Sequence, residues 1–190
     1  MDGSPALADE LVHVARAIDD PAAFAALYDH YFPRVYNYVR YRVQDPVLSD
    51  DLTADVFERT LAHLDTYRPD RAPFGAWLFS IARHVITDHF RAQSRRRWLS
   101  FDGLHRQASP DPAPEQIAAA NTVRARLLAA VGELPDRERD VLALKFAASL
   151  TNRQIAQLTG LSESNVGVIL YRSLRRLRDQ LQDILSDEER

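Results

Sequence analysis

The chain of 190 residues contains no cysteine, which excludes disulfide bonds, thiolate metal ligands and thiol redox sensing. It has no apolar run near the ~20 residues that a membrane span needs. Its first residues also lack the basic and apolar regions of a signal peptide. No nucleophile with a matching base, and no set of metal ligands, stands out. These absences predict a cytoplasmic protein that is not an enzyme and holds no cofactor or metal.

The composition is that of a folded helical protein. Hydrophobic residues make up 46% of the chain, which is ample for packed cores. Apolar residues recur with helical spacing, and neither a β-rich window nor an internal repeat occurs. We therefore predict an all-α fold of two small helical domains, at residues 1–96 and 114–190.

The segment between them, residues 97–113, has no sustained periodicity and is predicted to be an extended linker. Its 17 residues reach at most roughly 55–60 Å when extended. Trp98, Leu99, Phe101 and Leu104 are unusual in a linker, which is normally polar. Packing against the first domain and docking on a partner explain them equally well.

Charge is distributed unevenly around a net value of −3. Residues 1–70 carry 6 Arg against 13 acidic residues, a net of −7. Residues 71–106 carry a net of +5, and residues 153–178 a net of +4. Two basic segments in an acidic chain indicate local contacts with nucleic acid despite the acidic total.

The second basic segment has the pattern of a helix-turn-helix. Thr151 and Gln154 form a predicted capping box at the start of a short helix. Gly160 suits the left-handed turn that ends it, and Ser162 is the predicted N-cap of a longer helix. The inward residues of that helix are predicted to be Val166, Ile169, Leu170, Leu174, Leu177 and Leu181.

The outward stripe of this longer helix is polar and basic. Such a helix fits the major groove and reads base edges, while its arginines neutralise phosphates. An ordinary helical hairpin with a solvated face is the alternative. The stripe consists of Ser164, Val168, Tyr171, Arg172 and Arg175.

Three helices are predicted in the first seventy residues. The first places Leu11, Val12, Ala15 and Ile18 on one side. The second carries an aromatic stripe, predicted to be core packing, and is expected to break or kink at Pro33. The third is expected to begin at a Ser49 cap and carries an acidic face, which is either solvated or suited to a basic partner. The aromatic and aliphatic stripe is Phe24, Leu27, Tyr28, Tyr31, Val35, Tyr38 and Val39.

A loop at residues 67–73 precedes a strongly amphipathic helix that opens at Phe74 and is predicted to weaken after Arg91. Asp88 lies at the edge of the apolar stripe and is interpreted as a structural ion-pair partner. His84, Asp88 and His89 lack a further ligand, so we predict no metal site. The polar side consists of Ser80, Arg83, His84, Thr87 and Arg91.

Taken together, these segments resemble the extracytoplasmic-function sigma factors, the class with only sigma regions two and four. The resemblance runs from about residue 9 to residue 182, in the family's order and spacing. It is carried by FAALYDHYFPRVYNYV, DDLTADVF, FGAWLFSIARHV with DHFR, and LPDRERDVLALKF with LTNRQIAQLTGLS.

The resemblance implies an alternative sigma factor that binds core RNA polymerase and directs promoter-specific initiation, while polymerase performs the chemistry. Its partners would be the β′ clamp helices and the β subunit of polymerase, promoter DNA and, as is common in the family, an anti-sigma factor. Contact with core polymerase falls on Asp50, Asp51, Asp55, Phe57 and Glu58. Recognition and melting of the minus-ten element fall on Arg68, Asp70, Arg71, Ser80, Arg83, His84, Thr87 and Arg91. Recognition of the minus-thirty-five element falls on Ser162, Ser164, Asn165, Gly167, Val168, Tyr171, Arg172 and Arg175.

The chain departs from the family pattern at four positions. Ala54 stands where glutamine is usual, and His84 stands where asparagine is common. Gly167 and Val168 replace polar or basic side chains that contact bases, so the promoter sequence is not carried over from relatives. Two other classes of function remain open: a helix-turn-helix regulator that binds duplex DNA without polymerase, and an interaction module that acts as a decoy for anti-sigma factors.

Overall fold

The computed structural model describes residue 7 and residues 9–99 and 123–188. All regular structure in these ranges is helical, which confirms the all-α prediction. Among the helices described, none is long and apolar enough to cross a membrane. The α-helices are α1 Glu10–Asp19, α2 Ala25–Val43, α3 Pro46–Ala62, α4 Phe74–Leu99, α5 Val123–Gly132, α6 Asp136–Phe146, α7 Asn152–Thr159 and α8 Glu163–Glu188.

The first half of the chain, residues 9–99, packs α1, α2, α3 and α4 around an aromatic core. Tyr31, Val35, Tyr38 and Val39 of α2 are buried, so the predicted core stripe is confirmed at these positions. Phe57 of α3 packs edge-on against Phe24, with ring centroids 6.3 Å apart. The stripe predicted for α1 is wrong, because the buried residues are Val14 and Ala17, and Leu11, Val12 and Ile18 are exposed.

Two predicted helix boundaries in the first half are wrong. Helix α2 continues through Pro33 without a break, because its buried side chains hold it in place despite the hydrogen bond that proline removes. Helix α3 begins at Pro46 and not after Ser49. Its N-cap is Asp45, whose carboxylate accepts a hydrogen bond from the Leu48 amide at 3.0 Å. Ser49 is buried inside the helix and donates to the Asp45 carbonyl at 2.5 Å.

Helix α4 also runs further than predicted. It does not end near Arg91 but continues through the arginine cluster to Leu99. The side chains of Trp98 and Leu99, and the whole of Phe101 and Leu104, lie outside the residues described, as do residues 100–122 as a group.

The second half, residues 123–188, contains the predicted helix-turn-helix in α7 and α8. Thr151 and Gln154 form the capping box in both directions, and Gly160 ends α7 with a φ of 73°. The Ser162 hydroxyl accepts a hydrogen bond from the Asn165 amide at 3.2 Å, as expected of the N-cap of α8. These three local predictions are confirmed.

The two halves pack against each other. Helix α2 contacts α5 and α6, and α4 contacts α7. Buried residues of both halves belong to one continuous hydrophobic cluster. We call this packing of the two halves the closed arrangement.

Candidate nucleic-acid interface

The acidic face of α3 is turned outward. Asp50, Asp51 and Glu58 are exposed and Asp55 is half-buried. Phe57 does not lie on this face, because it is buried in the aromatic core at 5% exposure. Four of the five predicted polymerase-contacting residues therefore share one surface, and Phe57 supports that surface from below.

One acid of this face is already paired. Asp55 accepts hydrogen bonds from Arg59 at 2.7 and 3.0 Å, and these bonds raise the pKa of Arg59. Arg59 also lies 3.7 Å from Asp88 of α4, which confirms Asp88 as a structural ion-pair partner. The acidic face keeps most of its negative charge at Asp50, Asp51 and Glu58.

The loop before α4 is held by an aromatic anchor. Tyr67 is buried, donates to the Ala72 carbonyl at 3.1 Å, and lies edge-on to Phe74. Arg68, Asp70 and Arg71 are exposed around this anchor. The aromatic contacts thus anchor the loop to α4, and its charged side chains face outward.

On α4, three of the predicted side chains bond to their own helix. Ser80 donates to the Trp77 carbonyl at 2.6 Å, and Thr87 donates to the Arg83 carbonyl at 2.7 Å. His84 Nδ1 lies 2.7 Å from the Ser80 carbonyl oxygen. A rotation about one side-chain bond releases each of these groups, whereas Arg91 is already exposed, 4.0 Å from Asp88.

Arg83 is bound differently, because its partners are in the second half. Its Nε donates to Asp140 Oδ2 of α6 at 2.9 Å, and its Nη1 donates to the Leu158 carbonyl of α7 at 3.1 Å. The latter contact joins a predicted minus-ten residue to the first helix of the helix-turn-helix.

Arg83 belongs to a larger set of polar contacts between the halves, which we call the clasp: Tyr38, Arg42, Arg83, Asp136 and Asp140. Asp140 also accepts from Tyr38 Oη at 2.8 Å and lies 3.5 Å from Arg42 Nε. Arg42 donates to both carboxylate oxygens of Asp136, at 2.7 and 3.3 Å. Tyr38, Arg42 and Asp140 are at most 6% exposed, so the charges of Arg42 and Asp140 are balanced within the protein, although Arg42 Nε itself has no hydrogen-bond partner.

The contacts within the clasp shift the pKa values of Arg42, Asp136 and Tyr38 away from their ordinary values. Burial alone would lower the pKa of Arg42, but the hydrogen bond to Asp136 and the charge of Asp140 raise it. Burial opposes ionisation of Asp136, yet Arg42 holds the pKa of that carboxyl below its ordinary value. Burial, together with the neighbouring Asp140 carboxylate, raises the pKa of Tyr38 well above its ordinary value.

The outer stripe of α8 is exposed over its whole length. Its most exposed large hydrophobic side chain is Tyr171, at 68%. A Cβ built on Gly167 meets no atom within 4 Å, so packing within the chain does not require glycine there. The predicted outward residues Ser162, Ser164, Asn165, Val168, Tyr171, Arg172 and Arg175 are all exposed.

The inner face of α8 differs from the prediction at one position. Leu174 is 44% exposed, and Ser173 is fully buried in its place. The Ser173 hydroxyl lies 3.2 Å from Glu138 Oε2 of α6, and Glu138 lies 3.7 Å from Arg176. The buried seam therefore passes through residues 166, 170, 173 and 177, and leucine at 174 lies just beside it.

Comparison with known proteins shows which family this chain belongs to. Residues 27–96 match the model of Sigma-70 region 2, and residues 124–177 match that of Sigma-70, region 4. An ECF RNA polymerase sigma factor of Mycobacterium bovis, SigD, is 31% identical over 78% of this chain and 72% of its own length. The chain belongs to the extracytoplasmic-function sigma factors. It is thus an alternative sigma factor for transcription initiation.

Two further likenesses agree with this membership. The sigma factor BldN of Streptomyces coelicolor is 32% identical over 92% of this sigma factor, although the match spans 66% of BldN's own length. The fold matches RpoE of Bartonella quintana, solved in complex with the anti-sigma factor NepR, with a TM-score of 0.68. That match has 18% identity and covers 84% of this sigma factor and 96% of the other chain.

Sequence reasoning found the separate surfaces of this sigma factor but missed the clasp. Asp140 begins the apolar run DVLALKF, and an acid at the edge of such a run is the one signal in the sequence that a charged partner is needed; the structure buries it at 6% exposure. Tyr38 was assigned to the core stripe, and Arg42 and Asp136 were given no role. Their partners lie too far away in the sequence for any local pattern to reveal them.

Proposed function

We propose that this sigma factor binds core RNA polymerase through the acidic face of α3, defined by Asp50, Asp51, Asp55 and Glu58. The observation that carries the proposal is that this face is exposed and rigidly backed by Phe57 and by the pairing of Arg59 with Asp88. A basic partner surface, such as the clamp helices of β′, complements it in charge. Phe57 supports the face and is not itself a contact.

The loop at residues 67–73 and the outer side of α4 are proposed to open the minus-ten element and hold one strand. Capturing a flipped base costs a few kcal/mol of lost stacking, which favours weakly stacked sequences. Arg68, Arg71 and Arg91 are exposed and suited to phosphates of the unwound strand. Ser80, His84 and Thr87 supply the short polar groups beside them.

Helix α8 is proposed to enter the major groove at the minus-thirty-five element. Arg172 is assigned to a base, and Arg175 to a phosphate. Val168, on the same stripe, presents an apolar surface suited to a thymine methyl group. The predicted linker loses residues 97–99 to α4, and the chain that follows Leu99 is proposed to join the two domains along the path of the transcript.

A protein partner is proposed to regulate the sigma factor in the cytoplasm. The chain has no cysteine and so lacks a thiol sensor of its own. The fold relative from Bartonella quintana is solved with an anti-sigma factor. We extend that class of partner to this chain.

Run-off transcription with core polymerase on a genomic promoter library tests the proposal. We expect discrete transcripts that require the sigma factor, together with a one-to-one complex with core polymerase. Binding to duplex DNA without a polymerase complex would favour a helix-turn-helix regulator. If the chain bound another protein but neither bound polymerase nor gave transcripts, the result would favour a decoy for anti-sigma factors.

A further inference from the structure

The loop at residues 67–73 lies over a set of aromatic rings, which we call the ring cluster: Tyr31, Tyr67, Phe74 and Trp77. Tyr67 begins the loop and Phe74 follows its last residue, and their ring centroids lie 5.4 Å apart in an edge-to-face pair. Trp77, one turn further along α4, lies 5.3 Å from Tyr67 and 5.6 Å from Phe74. The same rings therefore hold both ends of the loop.

Tyr31 connects the ring cluster to α2 and, through its hydroxyl, to α1. Its buried ring lies edge-on to Phe74, with centroids 5.4 Å apart. The hydroxyl donates a hydrogen bond to Glu10 Oε1 at 2.5 Å. Because Glu10 is the first residue of α1, this bond fastens the start of that helix to the rings beneath the loop.

The Glu10 carboxylate influences both tyrosines of the ring cluster. Burial raises the pKa of Tyr31 above its ordinary value and the bond to Glu10 raises it further, so the hydroxyl stays a donor. Burial also raises the pKa of Tyr67, and the charge of Glu10 adds to that rise. Helix α1 contacts the short helical turn Leu64–Thr66, directly before the loop. One end of α1 is thus placed beside the start of the loop.

Tyr31 also fits closely against the first turn of α4. Gly75 is buried, and a Cβ built on it would lie 3.1 Å from Tyr31 Oη and 3.3 Å from Tyr31 Cε1. Contacts that close are rare for a Cβ, so a side chain at this position would press on the phenol. Glycine at position 75 therefore lets Tyr31 approach the backbone of the helix that follows the loop.

These contacts lie apart from the acidic face of α3. Phe57, which supports that face, packs against a different set of rings that includes Phe24 and Phe32. Core packing accounts for the buried ring of Tyr31, but phenylalanine would fill the same space. The Tyr31 hydroxyl adds a directed bond, and that bond joins α1 to the two ends of the loop. A loop that is already ordered loses less conformational entropy when it binds the separated strand.

We propose that Glu10 and Tyr31 are positioning residues for strand opening: their hydrogen bond fixes the loop at residues 67–73 and the first turn of α4 in the geometry that receives the minus-ten strand. This inference rests on the proposed function. Tyr31 is buried, so it acts on DNA only through the ring cluster and the loop.

Strand opening by the complex with core polymerase, on a promoter that run-off transcription has identified, tests the proposal. Tyr31→Phe keeps the ring and removes the donor, and Glu10→Ala removes the acceptor. Each variant should bind core polymerase like wild type and should open the duplex promoter about fivefold more slowly, the factor that one ordinary hydrogen bond contributes. Permanganate reactivity of unpaired thymines, followed over time, measures the rate. Tyr36→Phe, the same change at a half-buried position of α2, is the matched control and should open promoters at the wild-type rate.

Three comparisons separate positioning from a loss of stability. Glu10→Gln keeps an acceptor oxygen and should open the promoter within about twofold of the wild-type rate. The double variant of Tyr31→Phe with Glu10→Ala should be no slower than either single variant, because both changes remove the same bond. On a template with a pre-melted bubble at the minus-ten element, the defect of each single variant should fall below about twofold, because the strands are already apart. A smaller folded fraction would instead lower the signal on both templates alike.

Several outcomes overturn the proposal. Wild-type rates in both single variants would show that the bond does not act on opening, and equal defects on the duplex and bubble templates would leave it a role in stability alone. Glu10→Gln as slow as Glu10→Ala, or additive losses in the double variant, would show that the bond between the two residues is not the cause. If the wild-type chain itself opens no promoter with core polymerase, the proposed function fails as well. If wild type opens promoters and the variants give any of the contrary results, the inference alone fails.

Discussion

The outer faces of α4 and α8 are both predicted to contact promoter DNA, yet the structure presents them differently. The outward side chains assigned on α8 are all exposed, and Gly167 beside them is half-buried. On α4, Ser80, His84 and Thr87 bond to their own helix, and Arg83 bonds to the other half of the chain. Under the proposed roles, duplex recognition uses a surface that is already exposed in the free protein, whereas strand capture uses polar groups that are bonded within the chain.

The largest expected effect is a loss of polymerase binding, which is assigned to the first half, with no loss of duplex binding, which is assigned to the second. Asp51→Arg places a positive charge against a basic clamp and should weaken the complex with core polymerase by about 2–3 kcal/mol, or roughly 30- to 150-fold. Binding titrations with labelled core polymerase measure this. Asp19→Arg, the same charge change at an exposed site on α1, is the control and should bind normally. Duplex binding by Asp51→Arg should not fall, and equal losses in both assays would contradict the division of roles.

The next effect distinguishes two arginines within the α8 stripe. Arg172→Ala should cost about 1–3 kcal/mol of discrimination at a single base pair of the minus-thirty-five element. Arg175→Ala should instead weaken all sequences alike and reduce the salt slope by about one. Binding across single-base variants at two salt concentrations measures both, with the exposed Arg178→Ala as a reference. Uniform loss with Arg172→Ala would reassign that residue to a phosphate.

The capping box offers a smaller effect confined to the second half. Thr151→Ala should lower the free energy of unfolding by about 1 kcal/mol, because the Gln154 amide loses its acceptor. Thr159→Ala is the matched control on the same helix. Its hydroxyl bonds back to the Ile155 carbonyl, a contact that adds little stability. Denaturant unfolding measures both, and an equal loss from the two variants would show that the cap is not special.

Gly167→Ala should give the smallest change in stability, and in the opposite direction. Because the Cβ position is open, alanine should raise the free energy of unfolding by up to about 1 kcal/mol. The same variant should weaken minus-thirty-five binding if the α8 backbone approaches DNA closely there. Denaturant unfolding and minus-thirty-five binding, measured on the same variant, test the two expectations. Binding equal to wild type would mean that the glycine is merely tolerated.

The features predicted well from the sequence are those whose cause lies within a few residues. The capping box at Thr151 and the cap at Ser162 depend on side chains three residues from the groups they bind, and the turn at Gly160 depends on the backbone freedom of the glycine itself. The start of α3 failed for a local reason as well. Asp45 followed by Pro46 is a stronger start signal than Ser49, because the carboxylate caps the helix and proline fits its first position.

The clasp could not be predicted, because its pairs are distant in sequence. Tyr38 and Asp140 are 102 residues apart, and Arg83 and Asp140 are 57 apart. Helical periodicity tells which side of a helix is apolar, but not which helix covers it. At Leu174 and Ser173 even that rule failed, since Glu138 of α6 provides a partner that makes the serine the better buried residue.

The most direct test of the account is the distance between the halves in solution. Ala15→Cys on α1 and Arg137→Cys on α6 introduce two exposed labelling sites into a chain without cysteine. Energy transfer between dyes at these sites should be high in the free protein. It should fall sharply when core polymerase and a promoter carrying both elements are added, because the readers must then lie tens of ångströms apart. Transfer that stays high in an active promoter complex would contradict the account, as would low transfer in the free protein.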